Sequence, residues 1–359
     1  MALCYTITPA NGRIWPVEPA EKDALVSVLS LPASKVGVRA QNFTAIAYDD
    51  KAEHLAGVDN LGNVYSFNLK ANRVCKLETA GTPGTACCFS PGAGRLTLFV
   101  GFEDCSIRAY DITKSVSLGI LREHRNPPRH LEYRARTGEL LSTSIDAVIL
   151  WDAKKLCRRR ALGSGPAGPL QAAFTADEEH IVTMFKDGSF YVWHASNFTL
   201  VRSFLLPGAI HMRRMQHTFA VSPDGHLLVS AGLRMGVLLV YSLLSGALLH
   251  AVRLPDVDDI TGATQLRFLP DSATVAAMCS DGSVRCIDVK QAALVLEVPN
   301  IFPDRKDRCT FSMDQYANSL AVMSDGKVLL YNLATARKAA PPPQLLNFIA
   351  CEDVESAYK

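Results

Sequence analysis

The sequence lacks any long apolar run. No window reaches the about 18 uninterrupted apolar residues that a membrane-spanning helix needs, although 48% of the 359 residues are hydrophobic. Residues 1–10 have neither a basic start nor a long apolar stretch, so they do not read as a secretory signal peptide. The apolar residues are therefore expected to fill a large core, and we predict a cytoplasmic protein with no membrane insertion.

A strong excess of charge is also missing. The chain carries 37 Lys and Arg against 35 Asp and Glu, which leaves a formal net charge of +2 at pH 7. This balance gives no bulk attraction to nucleic acid or to an anionic membrane. Basic clusters are not interleaved with aromatic residues either, so we expect no nucleic-acid partner.

Cysteine pairs with metal-like spacing are absent. The chain has ten cysteines, but none forms a Cys-x-x-Cys pair, the arrangement from which many zinc sites are built. Several lie in strand-like apolar runs, among them Cys87, Cys88 and Cys279. These are predicted to be reduced core residues of an intracellular protein, and we expect no metal and no cofactor.

The sequence does contain a phrase that recurs. Leu150-Trp151-Asp152 closes a short apolar run that follows an acidic turn at Asp146. The same order, an apolar strand, a polar turn and a strand ending in a large residue, is found seven times. The large residues are Phe67, Tyr110, Trp151, Trp193, Tyr241, Ile287 and Tyr331. They lie 41–48 residues apart, and WD-repeat propellers have a period of about 40–45 residues per blade.

Seven copies of this period predict an all-β fold, a seven-bladed WD-repeat β-propeller. Each repeat reads as an inner strand, two middle strands and an outer strand. The seventh repeat lacks an outer strand after Tyr331, whereas residues 24–30 form a strand-like run ahead of the first repeat. We predict that residues 24–30 supply the outer strand of the last blade and close the ring, which removes a free edge.

The repeat also sets the expected domain organisation. Residues 24–333 are predicted to form one propeller, because each blade shares a core with its neighbours. Residues 1–23 are expected to form an irregular leader packed on the ring. Residues 334–359 contain Pro341-Pro342-Pro343, which favours an extended segment, and are expected to be an exit linker toward a domain that is absent from this chain.

One polar set is predicted to fasten the third blade. His124, Asp146 and Trp151 occupy the places where WD repeats carry a His, a turn Asp and a strand Trp, and Ser142 and Ser144 flank the Asp. A His, an Asp and a Ser near one another also suggest a hydrolase. A buried indole N–H and a buried carboxylate need hydrogen-bond partners, so we interpret the set as structural and predict no catalytic residue. Trp193 is expected to have the same structural role in the fourth blade.

Loops that connect an outer strand to the next inner strand emerge on one face of a propeller. Three of these loops are basic, and one acidic loop, Asp256-Val257-Asp258-Asp259, lies between the last two. This pattern favours selection of a peptide or a coiled coil by charge, with solvated loops as the alternative. The predicted partner-binding residues are His124, Arg125, Arg129, His211, Arg213, Arg214, Arg305, Lys306 and Arg308.

A second basic run lies at the transition from a third to an outer strand. Arg158-Arg159-Arg160 follows closely on Lys154-Lys155. We interpret these charges as protection of an exposed edge strand. The alternative is a rim patch for an acidic partner.

Several phrases together resemble a known family. They are Gly12-Arg13-Ile14-Trp15, Gly62 to Leu69, Phe185 to Trp193, Phe268 to Ser272 and Pro341-Pro342-Pro343. In this order they resemble the N-terminal propeller of WD-repeat proteins that carry a TBC (Rab GAP-like) domain and are found at centriolar satellites and centrosomes. The resemblance covers roughly residues 12–346. It implies a non-catalytic scaffold with a role in cilium assembly, located at the centrosome, centriolar satellites or cilium base. No TBC domain is present here, so no catalytic Arg or Gln finger is assigned to any residue.

Other functions remain open at this point. A propeller that reads a specific peptide or modified ligand at its central channel would need an aromatic cage or an acidic ring, and the sequence shows neither clearly. A membrane-trafficking adaptor is a further alternative. A propeller enzyme would need convergent carboxylates or His clusters, whereas the inner strands carry Ala, Phe, Leu, Cys and Thr. The preferred partners are centrosomal or ciliary proteins, including peptide or coiled-coil segments, and the isolated ring is expected to be monomeric.

Overall fold

The structure is a computed structural model, and it describes most of the repeat region. The described residues are 25–29, 42–71, 73–90, 95–162, 167–205, 218–231, 236–254, 262–300, 309–324, 327–340, 343–346 and 348–350. The predicted leader over residues 1–23 lies outside them. The chain forms two compact units: residues 1–138, 153–157 and 300–340 make the first, and residues 139–152, 158–299 and 341–359 make the second.

Seven antiparallel sheets, here called blades 1 to 7 in chain order, contain nearly all of the described secondary structure. The first strand of the chain is β1 (Leu25–Leu29), and blade 1 consists of the next four strands, β2 (Phe43–Tyr48), β3 (His54–Asp59), β4 (Asn63–Asn68) and β5 (Arg73–Thr79). Blade 2 consists of β6 (Gly84–Ser90), β7 (Thr97–Phe102), β8 (Ser106–Asp111) and β9 (Val116–Arg122). Blade 3 consists of β10 (His130–Arg134), β11 (Glu139–Thr143), β12 (Val148–Asp152) and β13 (Cys157–Leu162).

The next three blades repeat the same strand order. Blade 4 consists of β14 (Pro169–Phe174), β15 (His180–Phe185), β16 (Ser189–His194) and β17 (Leu200–Leu205). Blade 5 consists of β18 (Phe219–Val221), β19 (Leu227–Ala231), β20 (Val237–Ser242) and β21 (Leu248–Arg253). Blade 6 consists of β22 (Ala263–Phe268), β23 (Thr274–Cys279), β24 (Val284–Asp288) and β25 (Ala293–Val298). Each blade thus supplies the four strands predicted from the repeat.

Blade 7 is closed by the N-terminal strand, as predicted. Its order is β1 (Leu25–Leu29), β28 (Lys327–Asn332), β27 (Ser319–Ser324) and β26 (Thr310–Met313). β1 runs antiparallel to β28, with Leu25 opposite Tyr331 and Leu29 opposite Val328. The backbone of β28 therefore finds its second partner at the other end of the chain. The predicted all-β, seven-bladed β-propeller with an N-terminal closing strand is confirmed.

Burial explains why the repeat is easy to see in middle strands and hard to see in outer ones. The first four residues of β12, Val148 to Trp151, are all buried, since neighbouring sheets cover both faces and select a continuous apolar run. The outer strand β13 is exposed at five of its six positions. Adjacent blades share apolar cores, for example Val58 with Phe102 in the first unit. Each such side chain stabilises the fold by about 1.5–3 kcal/mol.

The polar turns are built by their own side chains. Oδ1 of Asp59 accepts hydrogen bonds from the backbone N–H groups of Leu61 at 2.9 Å and Asn63 at 2.7 Å. Gly62 has φ of +80°, and a Cβ at this position would collide with the backbone of Thr82. The turn therefore requires an Asp at its start and a Gly near its end.

The segment after blade 7 contains secondary structure in the part that the structure describes. Residues 334–359 were expected to form a Pro-rich linker, but their described part contains α1 (Leu333–Ala339), β29 (Gln344–Leu345) and β30 (Phe348–Ala350). The side chain of Asn332 caps α1 by accepting a hydrogen bond from Thr335 N at 3.0 Å. β29 pairs with β25, and β30 pairs with β21. β29 and β30 pair there because the edges of outer strands offer unpaired backbone groups.

Candidate interaction loop and the fastening of the blades

The indole of Trp151 is hydrogen-bonded inside the third blade. Trp151 is 2% exposed and lies opposite Leu140 in the β11–β12 ladder. Its Nε1–H donates to Oγ of Ser142 at 2.8 Å, and Oγ of Ser142 donates to the carbonyl of Ile149 at 3.4 Å. The indole N–H is thus satisfied inside its own blade, which supports the structural interpretation of Trp151.

The fourth blade has a Trp and a hydroxyl-bearing residue at the equivalent positions, but no hydrogen bond joins them. Trp193 lies opposite Ile181, and Thr183 stands two residues further along β15, where blade 3 has Ser142. Nε1 of Trp193 and Oγ1 of Thr183 are both buried, and neither has a hydrogen-bond partner among the described residues. Trp193 instead packs against Tyr191, with ring centroids 5.8 Å apart. Its structural contribution is therefore packing alone.

The hydrolase alternative does not fit the geometry of the third blade. Ser142 is fully buried at 0% exposure and its hydroxyl is engaged on both sides. A nucleophile needs access to substrate and a base within hydrogen-bond reach. Within the described part of the chain, no cluster of three or more His, Cys, Asp or Glu could hold a metal ion. Ser142 therefore acts as a structural acceptor.

Backbone hydrogen bonds place described residues of the outer-to-inner loops beside the turns between second and third strands. In the first unit, Ala80 N donates to Gly62 O at 2.8 Å and Glu103 N donates to Pro83 O at 2.9 Å. In the second unit, Ser280 N donates to Gly262 O at 3.0 Å. These bonds gather loops and acidic turns at one end of each blade, which is the end predicted for partner binding.

The loop between β9 and β10 contains three of the predicted partner-binding residues. Arg125 and Arg129 are exposed, whereas His124 is only 7% exposed. Pro128 of this loop is buried. Its carbonyl accepts a hydrogen bond from Thr85 Oγ1 of blade 2 at 2.5 Å. The loop thus holds two arginines outward on an anchored backbone. His124 is buried, which places it away from the exposed surface that was predicted for partner binding.

Of the other residues predicted for the site, Asp146 is described and six are not. Asp146 lies in the turn between β11 and β12 and is half-buried. Six predicted partner-binding residues lie outside the described residues: His211, Arg213, Arg214, Arg305, Lys306 and Arg308. Among the predicted basic loops, the β9–β10 loop is therefore the one that lies within the described residues and serves as the candidate interaction site.

An arginine that sequence reasoning missed joins blades 1 and 2. Arg108 on β8 donates to Glu78 Oε1 at 2.6 Å and to Asp104 Oδ2 at 3.1 Å. Its guanidinium also lies over the ring of Phe102, 4.8 Å from the centroid. Burial alone would lower the pKa of Arg108, but its bonds to Asp104 and Glu78 raise it above the usual value. This is a structural clamp near the candidate loop.

A related arginine lies in blade 6. Arg285 donates to Asp281 Oδ2 at 3.2 Å and to Glu297 Oε1 at 2.9 Å. Both arginines occur in the phrase Asp-x-Ser-x-Arg, at residues 104–108 and 281–285. This sequence pattern predicts an Arg whose side chain binds the Asp at the start of the preceding turn in the same blade.

The described cysteines differ in burial: Cys279 and Cys286 are buried, whereas Cys157 is exposed. The eight described cysteines form no disulfide. Burial raises the pKa of Cys87 to about 12 and, opposed by Arg285, that of Cys279 to about 11. Such thiols are protonated near neutral pH and are poor nucleophiles. Separately, the described residues contain no helix long and apolar enough to cross a membrane.

Comparison with known proteins supports the resemblance seen in the sequence. The chain is 26% identical over 352 residues to "TBC1 domain family member 31" of Xenopus laevis, and 24% identical to the proteins of the same name from Mus musculus and Homo sapiens. These alignments cover 94%, 96% and 94% of this chain. They cover 31%, 35% and 32% of the relatives, so the chain spans about a third of the length of the curated relatives it matches. No protein-family model matches the chain.

A solved structure supports the fold. A chain from "Crystal Structure of Mitotic Checkpoint Complex" superposes with a TM-score of 0.68 at 15% identity, over 91% of this chain and 97% of that chain. At this identity the likeness concerns the fold alone.

Proposed function

We propose that this chain is a non-catalytic protein-interaction scaffold, the N-terminal propeller of a TBC-domain protein of centrosomes and centriolar satellites. The observation that carries the proposal is its similarity, over 94% of its length, to TBC1 domain family member 31. The similarity is confined to about a third of that protein. We therefore assign no GAP activity to any residue of this chain.

The proposed setting follows from the family resemblance. We place the protein in the cytoplasm, at the centrosome, centriolar satellites or cilium base, with a role in cilium assembly. Its proposed partners are centrosomal or ciliary proteins that offer a peptide or a coiled-coil segment. A scaffold needs a stable surface with many loops, and a propeller presents its loops on rigid sheets.

The proposed contact surface in the described part of the chain is the β9–β10 loop. Arg125 and Arg129 are exposed, and Pro128 between them is held by Thr85. A loop held in this way loses little conformational entropy on binding. Two outward arginines favour a partner with carboxylates, because Arg binds carboxylates through paired N–H donors.

Charge reversal in this loop tests the proposal. The double variant R125E/R129E should lose captured centrosomal proteins in pull-downs from extract of ciliated cells, while circular dichroism should show that it is folded. The matched control is R73E/K76E, which reverses two exposed charges on the outer strand β5. Equal capture by the loop variant and the control variant would overturn the loop as the contact surface. Absence of centrosomal proteins from the unmodified chain's capture would overturn the scaffold proposal itself.

A further inference from the structure

The chain already adds strands to two of its own blades. β30 lies antiparallel to the outer strand β21, with His250 opposite Ala350 and Val252 opposite Phe348. β29 lies antiparallel to the outer strand β25, and Leu346 N donates to Ala292 O at 2.7 Å. Outer edges of this propeller therefore accept extended chain in antiparallel register, which is the geometry of β-strand addition.

The outer strand of blade 4 lacks such a cover in the described part of the chain. β17 is the last strand of its sheet. Leu200, Val201 and Leu205 are exposed at 48%, 44% and 56%, so half of this six-residue strand presents large apolar side chains to solvent. Long apolar edges are unusual in isolated proteins, because they attract further strands.

Charges protect two other outer strands. β5 carries the exposed residues Arg73 and Lys76, and β13 carries the exposed run Arg158-Arg159-Arg160. Lys and Arg on an edge strand disfavour pairing with another chain. β17 has a single charged residue, Arg202, which is half-buried. By this measure β17 is the less protected edge.

The inner side of β17 is firmly packed. The ring of Phe204 stacks on Phe190, with centroids 5.1 Å apart and planes at 14°. The ring centroid of Phe204 also lies 5.6 Å from that of Tyr241 in blade 5. The backbone of β17 is therefore held in an extended form before any partner binds. Addition of a strand would then cost little conformational entropy in β17.

The charge near β17 selects the partner. Residues 195–205 contain no Asp or Glu, and no described acidic residue forms an ion pair with Arg202. A second cation is close to the start of the strand, since Arg160 lies over the ring of Phe198 at 4.9 Å and donates to Asn197 O at 3.5 Å. An incoming strand with carboxylates would meet Arg202 on β17 and Arg160 beside the start of the strand.

A second copy of the chain is a poorer occupant of this edge. In the antiparallel register centred on Arg202, pairing of β17 with its copy would place the two Arg202 side chains directly opposite each other on one face of the sheet. Like charges directly opposite each other are destabilising. A symmetric dimer in this register is thus disfavoured by the same residue that favours an acidic strand.

We propose that the outer edge of β17 is a docking site for an extended, acidic and partly apolar segment of a partner protein, which adds to blade 4 as an antiparallel fifth strand. Apolar side chains of that segment would lie beside Val201 and Leu205, and its carboxylates would face Arg202 and Arg160. The inference deepens the proposed scaffold function and rests on it only in requiring a protein partner.

A defined peptide tests the docking site on the full chain. The probe is a fluorescein-labelled nine-residue peptide in which valine and threonine alternate around two glutamates. Fluorescence anisotropy should show binding at peptide concentrations up to about 1 mM, and replacing both glutamates by lysine should weaken it at least about tenfold. Hydrogen exchange should slow at β17 when the peptide is bound.

Matched variants locate the site. V201K/L205K should weaken binding at least about tenfold, because it places two guarding lysines on the edge. V116K/I120K should not, although it changes two side chains of β9 that are each 46% exposed. Circular dichroism should show that both variants are folded.

Three outcomes would overturn the proposal. They are absence of binding up to the highest concentration, equal binding by V201K/L205K and the unmodified chain, and dimerisation through β17 without peptide binding. The assay uses no cell extract, so its failure leaves the scaffold proposal standing. Failure of the pull-down leaves the peptide result unaffected.

Discussion

The indole N–H of Trp151 donates a 2.8 Å hydrogen bond to the hydroxyl of Ser142, across neighbouring strands of blade 3. Both residues are buried, at 2% and 0% exposure. In blade 4, Trp193 and Thr183 occupy the same register but leave their polar atoms without described partners. The two blades therefore offer a direct comparison of a fastened and an unfastened Trp.

Truncation of Trp151 is expected to be severe. Trp151→Ala removes a large buried aromatic side chain, which costs about 3–5 kcal/mol of unfolding free energy. Ser142→Ala leaves the indole N–H unsatisfied and should cost about 1–3 kcal/mol. Urea unfolding of the purified chain, followed by circular dichroism, measures both. A Trp151→Ala variant as stable as the parent would contradict the role assigned to this blade.

The unfastened blade should respond differently. Thr183→Val replaces an unpartnered buried hydroxyl by a methyl group of similar size, so the unfolding free energy should stay the same or rise. Removing a buried polar atom that makes no bond recovers its desolvation cost. The same urea titration measures it beside Ser142→Ala. A loss as large as that of Ser142→Ala would show that Thr183 makes a bond after all.

Loss of the closing strand should open blade 7. Deleting residues 1–29 removes β1 and exposes the edge of β28, whose Leu329 and Val328 lie opposite Val28 and Leu29. We expect a lower melting temperature and concentration-dependent aggregation, since a free edge pairs with other chains. Differential scanning fluorimetry and light scattering follow the two effects. Deleting residues 1–23 keeps β1 and is the control, which should aggregate less.

Alkaline pH should weaken the turn of blade 1. The phenol of Tyr65 donates to Asp59 Oδ2 at 3.4 Å, and burial together with the charge of Asp59 raises the pKa of Tyr65 from 10.0 to about 12. The folded-state pKa is above the unfolded value. The resulting stability is therefore fully present below pH 10 and is lost as pH rises through about 12.

The variant Tyr65→Phe removes this contribution. It should lose less stability than the parent between pH about 8 and about 11 when unfolding free energies are compared by urea titration. Burial also raises the pKa of Tyr48 and Tyr110, so some alkaline sensitivity should remain. An identical pH dependence in the variant and the parent would show that Tyr65 is not coupled to Asp59.

The fold could be predicted because its signal is periodic. Third strands such as β12 are buried along nearly their whole length, so a continuous apolar run recurs in the repeats. The seventh repeat has no outer strand of its own, and this indicated residues 24–30 as the strand that closes blade 7. Ser142 could be expected near Trp151 because a strand period of two fixes which residues share a face.

Other features carry no periodic signal. β29 and β30 are two and three residues long, and their partners are backbone edges, which any side chain can approach. The contact between Arg108 and Glu78 joins residues of different repeats, so no local pattern reports it. The interaction loop could be proposed from its position and charge, but the burial of His124 depends on packing that only the structure shows.

Proximity labelling tests the central claim most directly. The chain is fused to a biotin ligase and expressed in ciliated cells, with the ligase alone and the Trp151→Ala fusion as controls. We predict that centrosomal and centriolar-satellite proteins are biotinylated above both controls, because the folded propeller is the interaction module. A labelled set that is the same as that of the ligase alone would contradict the proposed scaffold function.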